Sequence, residues 1–579
     1  MPQQIWRQGL AVFLLAFVFI ALYWVGLPTD FNADLLTITL RGTSASSYSD
    51  LLLRIADPRT PAWLYPPSGL MEYLRPLDTI LEKAYFDLFG TSLIPFHVTA
   101  AVGYGLFCFC LFVLISRWSK RKLYGWLAVA LYLSFPSNVF NLLSTFSADF
   151  QQFLSVLCIA SLLCFCRMTY KKTSRFSFLL HGLAWFLAVW LAIKLKSSEK
   201  ILPFVCAAFL VWRLPVIRHR LSWQRIVVIL GMLTASLILV IPFKSMIPQK
   251  AFSSGPYANE IQESLNLKDK MILGFDLKNM IKRTFYVPGG DFPFTTPIRR
   301  KEPKSFTENY GCFLGWFFWL SILLTPFLMF RYEKKITAEG TEGLFPQAYW
   351  MMLIWFAATV AGFASGAAVG DVRFLNFAYV PSLFILFFAC RIWEERFFPG
   401  KISSWIFRTL LSAAVLITLI PNFTTYTKLA AHFGGMQNAV VRWSEDIYRS
   451  EFQTEPHGWE LYQRYHELET RFMMTDWYEL PSHWLETAQS KVAAEGTLYF
   501  LTRSTDSERL ATLRTAGMKP LLWKRYDLVE AKPLIFRWFQ ALQYYKKLLT
   551  GRVKEQTVFV YRIGGPASTG KSPAASIAS

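Results

Sequence analysis

Arg75-Pro76-Leu77-Asp78-Thr79-Ile80-Leu81-Glu82-Lys83-Ala84-Tyr85-Phe86-Asp87-Leu88-Phe89-Gly90 is the stretch around which the rest of the chain is ordered. Its apolar residues Leu77, Ile80, Leu81, Ala84, Tyr85 and Leu88 recur with the period of one helical face. Asp78, Glu82, Lys83 and Asp87 fall on the opposite face. Pro76 suits the first helical position, where no N–H is needed, and Gly90 suits the cap after the last turn. Strongly apolar segments flank the stretch, at 9–27 and from Pro95-Phe96-His97 onward. A helix with one apolar and one charged face, tethered between two membrane spans, is expected to lie flat on the membrane surface. On periodicity alone it is a structural strap.

Working outward, 53% of the 579 residues are hydrophobic and only 17% are charged, with 52 phenylalanines. Many apolar runs approach the roughly 20 residues that a helix needs to cross a bilayer. The expected fold class is an all-α polytopic membrane protein of about eleven transmembrane helices. The spans are 9–27, 95–116, 124–143, 150–166, 176–195, 201–212, 226–243, 312–330, 349–369, 374–392 and 402–421, the sixth starting nearer Ser197. The run 9–27 exceeds a signal-peptide core and no small-x-small cleavage site follows, so it reads as the first span. Cys108, Cys110, Cys158, Cys164, Cys166, Cys206, Cys312 and Cys390 all lie in or beside apolar runs, a placement that predicts neither a structural disulfide nor a zinc knuckle.

Every second loop is basic. Arg117, Lys120, Arg121 and Lys122 follow the second span; Arg167, Lys171, Lys172 and Arg175 the fourth; Arg213, Arg218, Arg220 and Arg225 the sixth. Arg331, Lys334 and Lys335 follow the eighth, and Arg391, Arg396, Lys401 and Arg408 cluster after the tenth. The inside-positive rule then places the N-terminus in the cytoplasm. Much of the formal net charge of +21 is therefore topological, and nucleic acid is not expected as a partner.

Three segments fall outside: a first loop at 28–94, a second at 244–311, and the tail. Each is longer than a connector requires. The expected domains are a transmembrane module, 1–421, a small extracytoplasmic α/β domain, 422–563, and a disordered tail, 564–579. Within the second, 430–495 reads helical, 497–501 as a strand, 506–516 as a helix ended by Gly517, and 520–529 and 557–563 as strands. The stretch Gly565-Pro-Ala-Ser-Thr-Gly-Lys-Ser572 lacks the preceding strand and following helix of a phosphate loop and is set aside.

The opening stretch resembles the first extracytoplasmic loop of GT-C glycosyltransferases, in its Arg75-Pro76-Leu77 start, amphipathic helix, Leu88-Phe89-Gly90 end and Pro95-Phe96-His97 opening of the next span. The resemblance covers roughly the first 395 residues, as short motifs in order. It implies an integral membrane enzyme of the bacterial inner membrane that uses a polyprenyl-phosphate-linked sugar, with a helical bundle and a first outer loop that covers the site. Protein O-mannosyltransferases are members. Its partners would be membrane lipids, the polyprenyl-phosphate-linked sugar, and a glycan, lipid or protein acceptor.

Such a transfer needs a carboxylate to take the proton of the attacking hydroxyl and cations to hold the departing phosphate. Asp30 and Asp34 stand just outside the first span, where the family carries its acidic catalytic residue. Their spacing would put both on one helical face; the two are not ranked, and an ordinary acidic boundary is the alternative. Asp149 opens the fourth span after Ser134-Phe-Pro136-Ser-Asn138, as a second acid or as a helix N-terminal charge. Lys194, Lys196, Glu199 and Lys200 lie between the fifth and sixth spans, where the family has a Lys-Glu pair. Lys196 and Glu199 are the foremost of these, against a reading of snorkelling at the interface. Arg373, at the start of the tenth span, departs from the inside-positive pattern and offers a fork for phosphate, unless Asp371 pairs with it. Arg75 either binds phosphate or anchors the strap helix. No metal site is identified among these residues, His97 included. No cofactor is assigned, and a divalent metal is left open. Rival readings are an O-antigen polymerase or ligase, a flippase or transporter, and an assembly factor without catalysis.

Overall fold

The structure is a computed structural model. It describes residues 2–24, 47–49, 51–52, 76–89, 94–135, 151–170, 173–195, 197–217, 221–240, 313–338, 344–364, 375–420, 422–423, 446, 472–474, 484–502, 508–528 and 556–564. The chain divides into two compact units, one of Met1–Leu22, Ala45–Asp291 and Pro297–Leu429, the other of Tyr23–Ser44, Phe292–Thr296 and Ala430–Ser579.

The first unit is helical. Its elements are α1 (Pro2–Trp24), α2 (Pro76–Phe89), α3 (Ile94–Ser119), α4 (Lys122–Ser134), α5 (Gln151–Met168), α6 (Arg175–Leu195), a 3-10 turn (Ser197–Lys200), α7 (Ile201–Ile217), α8 (Trp223–Val240), α9 (Phe313–Ala338), α10 (Phe345–Ala364), α11 (Leu375–Phe397) and α12 (Lys401–Ile420). A helix thus lies over every expected span. Among the described residues, five helices (α1, α3, α6, α9 and α12) are long and apolar enough to cross a membrane. Their outward faces carry what a water-soluble protein would hide. On α6, Phe176, Leu179, Leu180, Leu183 and Leu187 form an exposed stripe at helical spacing, and α9 exposes Leu320, Leu323, Leu324 and Phe327. Apolar surface of this extent means a bilayer contact. The chain is a multi-pass membrane protein.

The axis of the bundle is α11. From Leu383 to Cys390 all but two positions are bulky apolar side chains of Leu, Ile and Phe, and every residue in the run is fully buried. A helix that is apolar all round has no solvent or lipid face to prefer, so neighbours surround it. It packs against α3, α4, α9 and α10. Small residues let other helices close up: a Cβ on Gly125 of α4 would meet the Phe112 carbonyl oxygen of α3 at 2.9 Å, and one on Gly105 would meet the Phe13 ring of α1 at 2.7 Å.

Both ends of α11 are tied to α4. At one end the Tyr379 hydroxyl donates to the Leu131 carbonyl at 2.9 Å, and its ring stacks on Phe135 at 3.8 Å. At the other lies Glu394, past the apolar run that ends at Ile392 and only 3% exposed. Its Oε2 accepts from the Tyr124 hydroxyl at 2.6 Å. Its Oε1 accepts from Ser404 and from both Nη2 and Nε of Arg408, the latter at 2.9 Å, with Arg121 at 3.3 Å. Burial alone would raise this carboxyl's pKa; the hydrogen bonds from Arg408, Ser404 and Tyr124, with the charge of Arg121, outweigh it and bring it to about 2. The group is therefore ionised at neutral pH. Its contribution to stability is complete above the ordinary carboxylate range and is lost only as pH falls toward 2. Beside it Arg391 donates to the Trp118 carbonyl, to the Tyr332 hydroxyl at 2.6 Å and to Glu395 at 3.1 Å, and Arg213 forks onto Glu333 at 2.8 and 3.1 Å.

Three expectations need correction. The first helix in the span expected at 124–143 ends at Ser134: Phe135 is extended, as a residue before proline must tend to be, and the rest of that span lies outside the described residues. The seventh helix runs to Ile217, through Pro215. The strap helix exists, but Lys83, assigned to its charged face, is buried, with its Nζ 3.2 Å from Asp87 and 5.2 Å above the Tyr48 ring. Leu88, assigned to its apolar face, is exposed.

The second unit contains a four-stranded sheet of order β1-β2-β4-β3, from β1 (Phe472–Met474), β2 (Thr497–Thr502), β3 (Lys519–Leu528) and β4 (Gln556–Gly564). β1 pairs with β2 in parallel; the other pairs are antiparallel. Two helices, α13 (Trp484–Glu495) and α14 (Glu508–Thr515), pack on one face around Leu498, Phe500, Leu510, Leu513 and Ile563. Gly517 ends α14 at φ +80, and the Met518 amide reaches back to the Leu513 carbonyl at 3.0 Å. The strand at 472–474 lies within a stretch expected to be helical; three residues are too few to show a strand period, and pairing with β2 makes them one.

Replacing Glu394 by alanine leaves Arg408 and Arg121 beside an empty buried site and should cost about 3–5 kcal/mol. Thermal unfolding of the purified protein in detergent at pH 7 should show the loss; an unchanged melting temperature would remove the network from its central role. Gly125→Leu should destabilise by about 1–3 kcal/mol in the same assay, by forcing α3 and α4 apart.

Candidate functional site

The bundle has two chemically different ends. One gathers the basic loops and the Glu394, Arg391 and Arg213 networks. The opposite end receives the last turn of α4, the first turns of α5 and α11 and the last turns of α6 and α12. Tyr379 bonding Leu131, the Asn422 side chain 3.4 Å from the Ser134 hydroxyl, and Phe153 packed on Gly103 join these termini. Glu199 lies there, in the 3-10 turn that joins α6 to α7.

Glu199 is 1% exposed. The Cys158 thiol on α5 donates to its Oε2 at 3.0 Å. A carboxyl removed from water must be hydrogen-bonded or paired, and a thiol is a weak donor for that task. Lys200 follows Glu199 in the same 3-10 turn, and Lys194 lies in the last turn of α6. Two lysines that flank a buried carboxylate in sequence, at the end opposite the basic loops, offer positive charge to an anionic group.

Of the foremost candidates from the sequence, Glu199 has a described setting, as do the secondary lysines Lys194 and Lys200. Asp30, Asp34, Arg75, Asp149, Lys196 and Arg373 lie outside the described residues. Asp149 and Arg373 adjoin the first residues of α5 and α11 in sequence, Arg75 adjoins α2, and Lys196 separates α6 from the 3-10 turn. Cys158 was not anticipated as a partner of Glu199. A cysteine in an apolar span carries no sign of its neighbour forty residues away. Among the described residues no group of three or more metal-ligating side chains occurs, and Cys108, Cys110, Cys158, Cys164, Cys166, Cys206 and Cys390 are free thiols.

No protein-family model and no curated protein matches the chain. Among solved structures it is similar to the oligosaccharyltransferase of Archaeoglobus fulgidus in its apo form, at 13% identity and a TM-score of 0.45, over 86% of this chain and 69% of that one. It is also similar to ArnT from Cupriavidus metallidurans bound to undecaprenyl phosphate, at 13% identity and a TM-score of 0.41, over 97% and 99% of the two chains. Both likenesses are distant, and neither assigns an activity to this chain.

Removing the Glu199 side chain should leave the Cys158 thiol buried beside an empty space and cost about 1–3 kcal/mol. Glu199→Gln keeps an acceptor for the thiol and should cost less. Thermal melts of Glu199→Ala and Glu199→Gln side by side measure the difference; equal losses would show that the thiol contact contributes nothing.

Proposed function

We propose that this protein is a membrane glycosyltransferase of GT-C type, moving a sugar from a polyprenyl-phosphate donor to an acceptor on the outer face of the bacterial cytoplasmic membrane. The observation that carries the reading is the order of its motifs. A strap helix, Pro76–Phe89, stands between the first two long apolar helices, and an acid-and-lysine turn, Ser197–Lys200, stands where two later helices meet. The carboxylate of Asp30 or Asp34 would take the proton of the acceptor hydroxyl as the oxygen attacks the anomeric carbon. Arg373 and Lys196, with Arg75, would hold the phosphate and stabilise its charge as the glycosidic bond to it breaks. Asp149 and Glu199 would position the sugar or these cations. The polyprenyl tail would lie along the lipid-facing helices, and the 422–563 segment would sit outside the membrane.

A transporter would use ionisable or helix-breaking residues at mid-membrane; the acid and lysines described here lie instead at helix ends. An assembly factor would share the fold without turnover.

The test is release of free polyprenyl phosphate by the purified protein in lipid, across a panel of polyprenyl-phosphate sugars. Asp30→Asn or Asp34→Asn should lower turnover by about 10²- to 10⁴-fold with donor binding retained, whereas Arg373→Gln and Lys196→Gln should weaken donor binding. Turnover indifferent to both aspartates would end their assignment. If no donor in the panel is consumed or bound, the glycosyltransferase reading fails.

A further inference from the structure

A cavity of about 630 Å³ opens at the end of the bundle that carries the basic loops, between α3, α5, α6 and α10. Arg117, Arg167 and His181 supply its polar lining, and Leu114, Leu163 and Leu344 much of the rest. This is the end opposite Glu199, so the cavity is separate from the candidate site.

Several arginines at this end are held in ion pairs. Arg121 and Arg408 share Glu394, Arg391 holds Glu395, and Arg213 holds Glu333. Arg117 and Arg167 form no ion pair among the described residues, and no carboxylate is among the described lining residues of the cavity. The Arg167 guanidinium lies 5.7 Å from the centre of the Tyr170 ring, which also lines the space. His181 Nδ1 is already committed to the Ser177 carbonyl at 2.6 Å. Two guanidinium groups facing one cavity, with no carboxylate among its described lining residues, are a site for an anion from elsewhere.

The rest of the lining selects the kind of anion. A small soluble ion would use the guanidinium groups and leave the leucines wet. An amphiphile uses both. His181 also shares α6 with the exposed stripe of Leu179, Leu180 and Leu183, so the cavity borders a lipid-facing surface. Its volume is within the range of about 300–1,000 Å³ usual for ligand pockets. Basic pockets between spans on the inside-positive side attract the headgroups of anionic lipids. We propose that this cavity binds the phosphate headgroup of an anionic phospholipid, with Arg117 and Arg167 holding the phosphate oxygens and the leucines covering the glycerol and first acyl carbons.

The experiment is a lipid titration of the delipidated full-length protein in detergent, followed by native mass spectrometry and thermal shift. The probes are phosphatidylglycerol, phosphatidylcholine and inorganic phosphate. Phosphatidylglycerol should bind and raise the melting temperature, and phosphatidylcholine should bind at least tenfold more weakly. The double variant Arg117→Gln/Arg167→Gln should lose tenfold or more in affinity for phosphatidylglycerol. Arg175→Gln, exposed at the same end and outside the cavity lining, should bind as the wild type does. If the glutamine variant does not fold, Arg117→Lys/Arg167→Lys replaces it and should lose affinity by loss of the forked contact. Equal affinity in wild type and variant, equal affinity for the two lipids, or displacement of the lipid by millimolar phosphate would each overturn the proposal.

Discussion

One buried carboxylate, Glu394, decides how the helices of this bundle meet. It is an expensive group to take out of water, and nothing at the end of an apolar helix obliges a chain to do so. Three elements therefore have to meet at one place: α11, which carries the carboxylate, and two that deliver donors to it, Tyr124 and Arg121 at the start of α4 and Ser404 and Arg408 at the start of α12. A sliding or rotation of any of the three would strand a charge. The eight fully buried residues from Leu383 to Cys390 supply the apolar contact that holds α11 in the middle, but apolar contact tolerates many registers. The ionic cluster at one end and the Tyr379–Leu131 bond at the other select one.

This arrangement separates the bundle chemically. The end that carries the basic loops is also the end where Glu394, Glu395 and Glu333 pair with some of its arginines. At the opposite end the described residues include Glu199, buried against Cys158, with Lys194 and Lys200 on either side of it in sequence. In a membrane protein such a cluster has to be retained against the cost of keeping charge near hydrocarbon. A reaction on a lipid-linked phosphate would use such a cluster. The second unit is built on ordinary soluble principles, with a mixed sheet, two helices on one face and glycines ending both helices. Its core owes nothing to lipid.

The sequence by itself determined the membrane class, the position of nearly every helix, the strap helix from Pro76 and, to within a residue at each end, the strands expected at 497–501, 520–529 and 557–563. Each of these rests on local information: the length of an apolar run, a period of 3.6 or 2, a proline or glycine at a helix end. Of the candidate site it determined which polar residues stand at the ends of spans, because a charge beside an apolar run is conspicuous. Tertiary structure alone decided that Lys83 turns inward and Leu88 outward, since a helix face is chosen by what packs against it. It decided that Phe472–Met474 is a strand, because a short edge exists only where a neighbour pairs with it. It also decided that Glu199 meets Cys158, that Glu394 collects its four partners, and that Arg117 and Arg167 line one cavity. Those pairings join residues tens to hundreds of positions apart, and an alternation of apolar and polar letters carries no record of which distant helix will supply the partner.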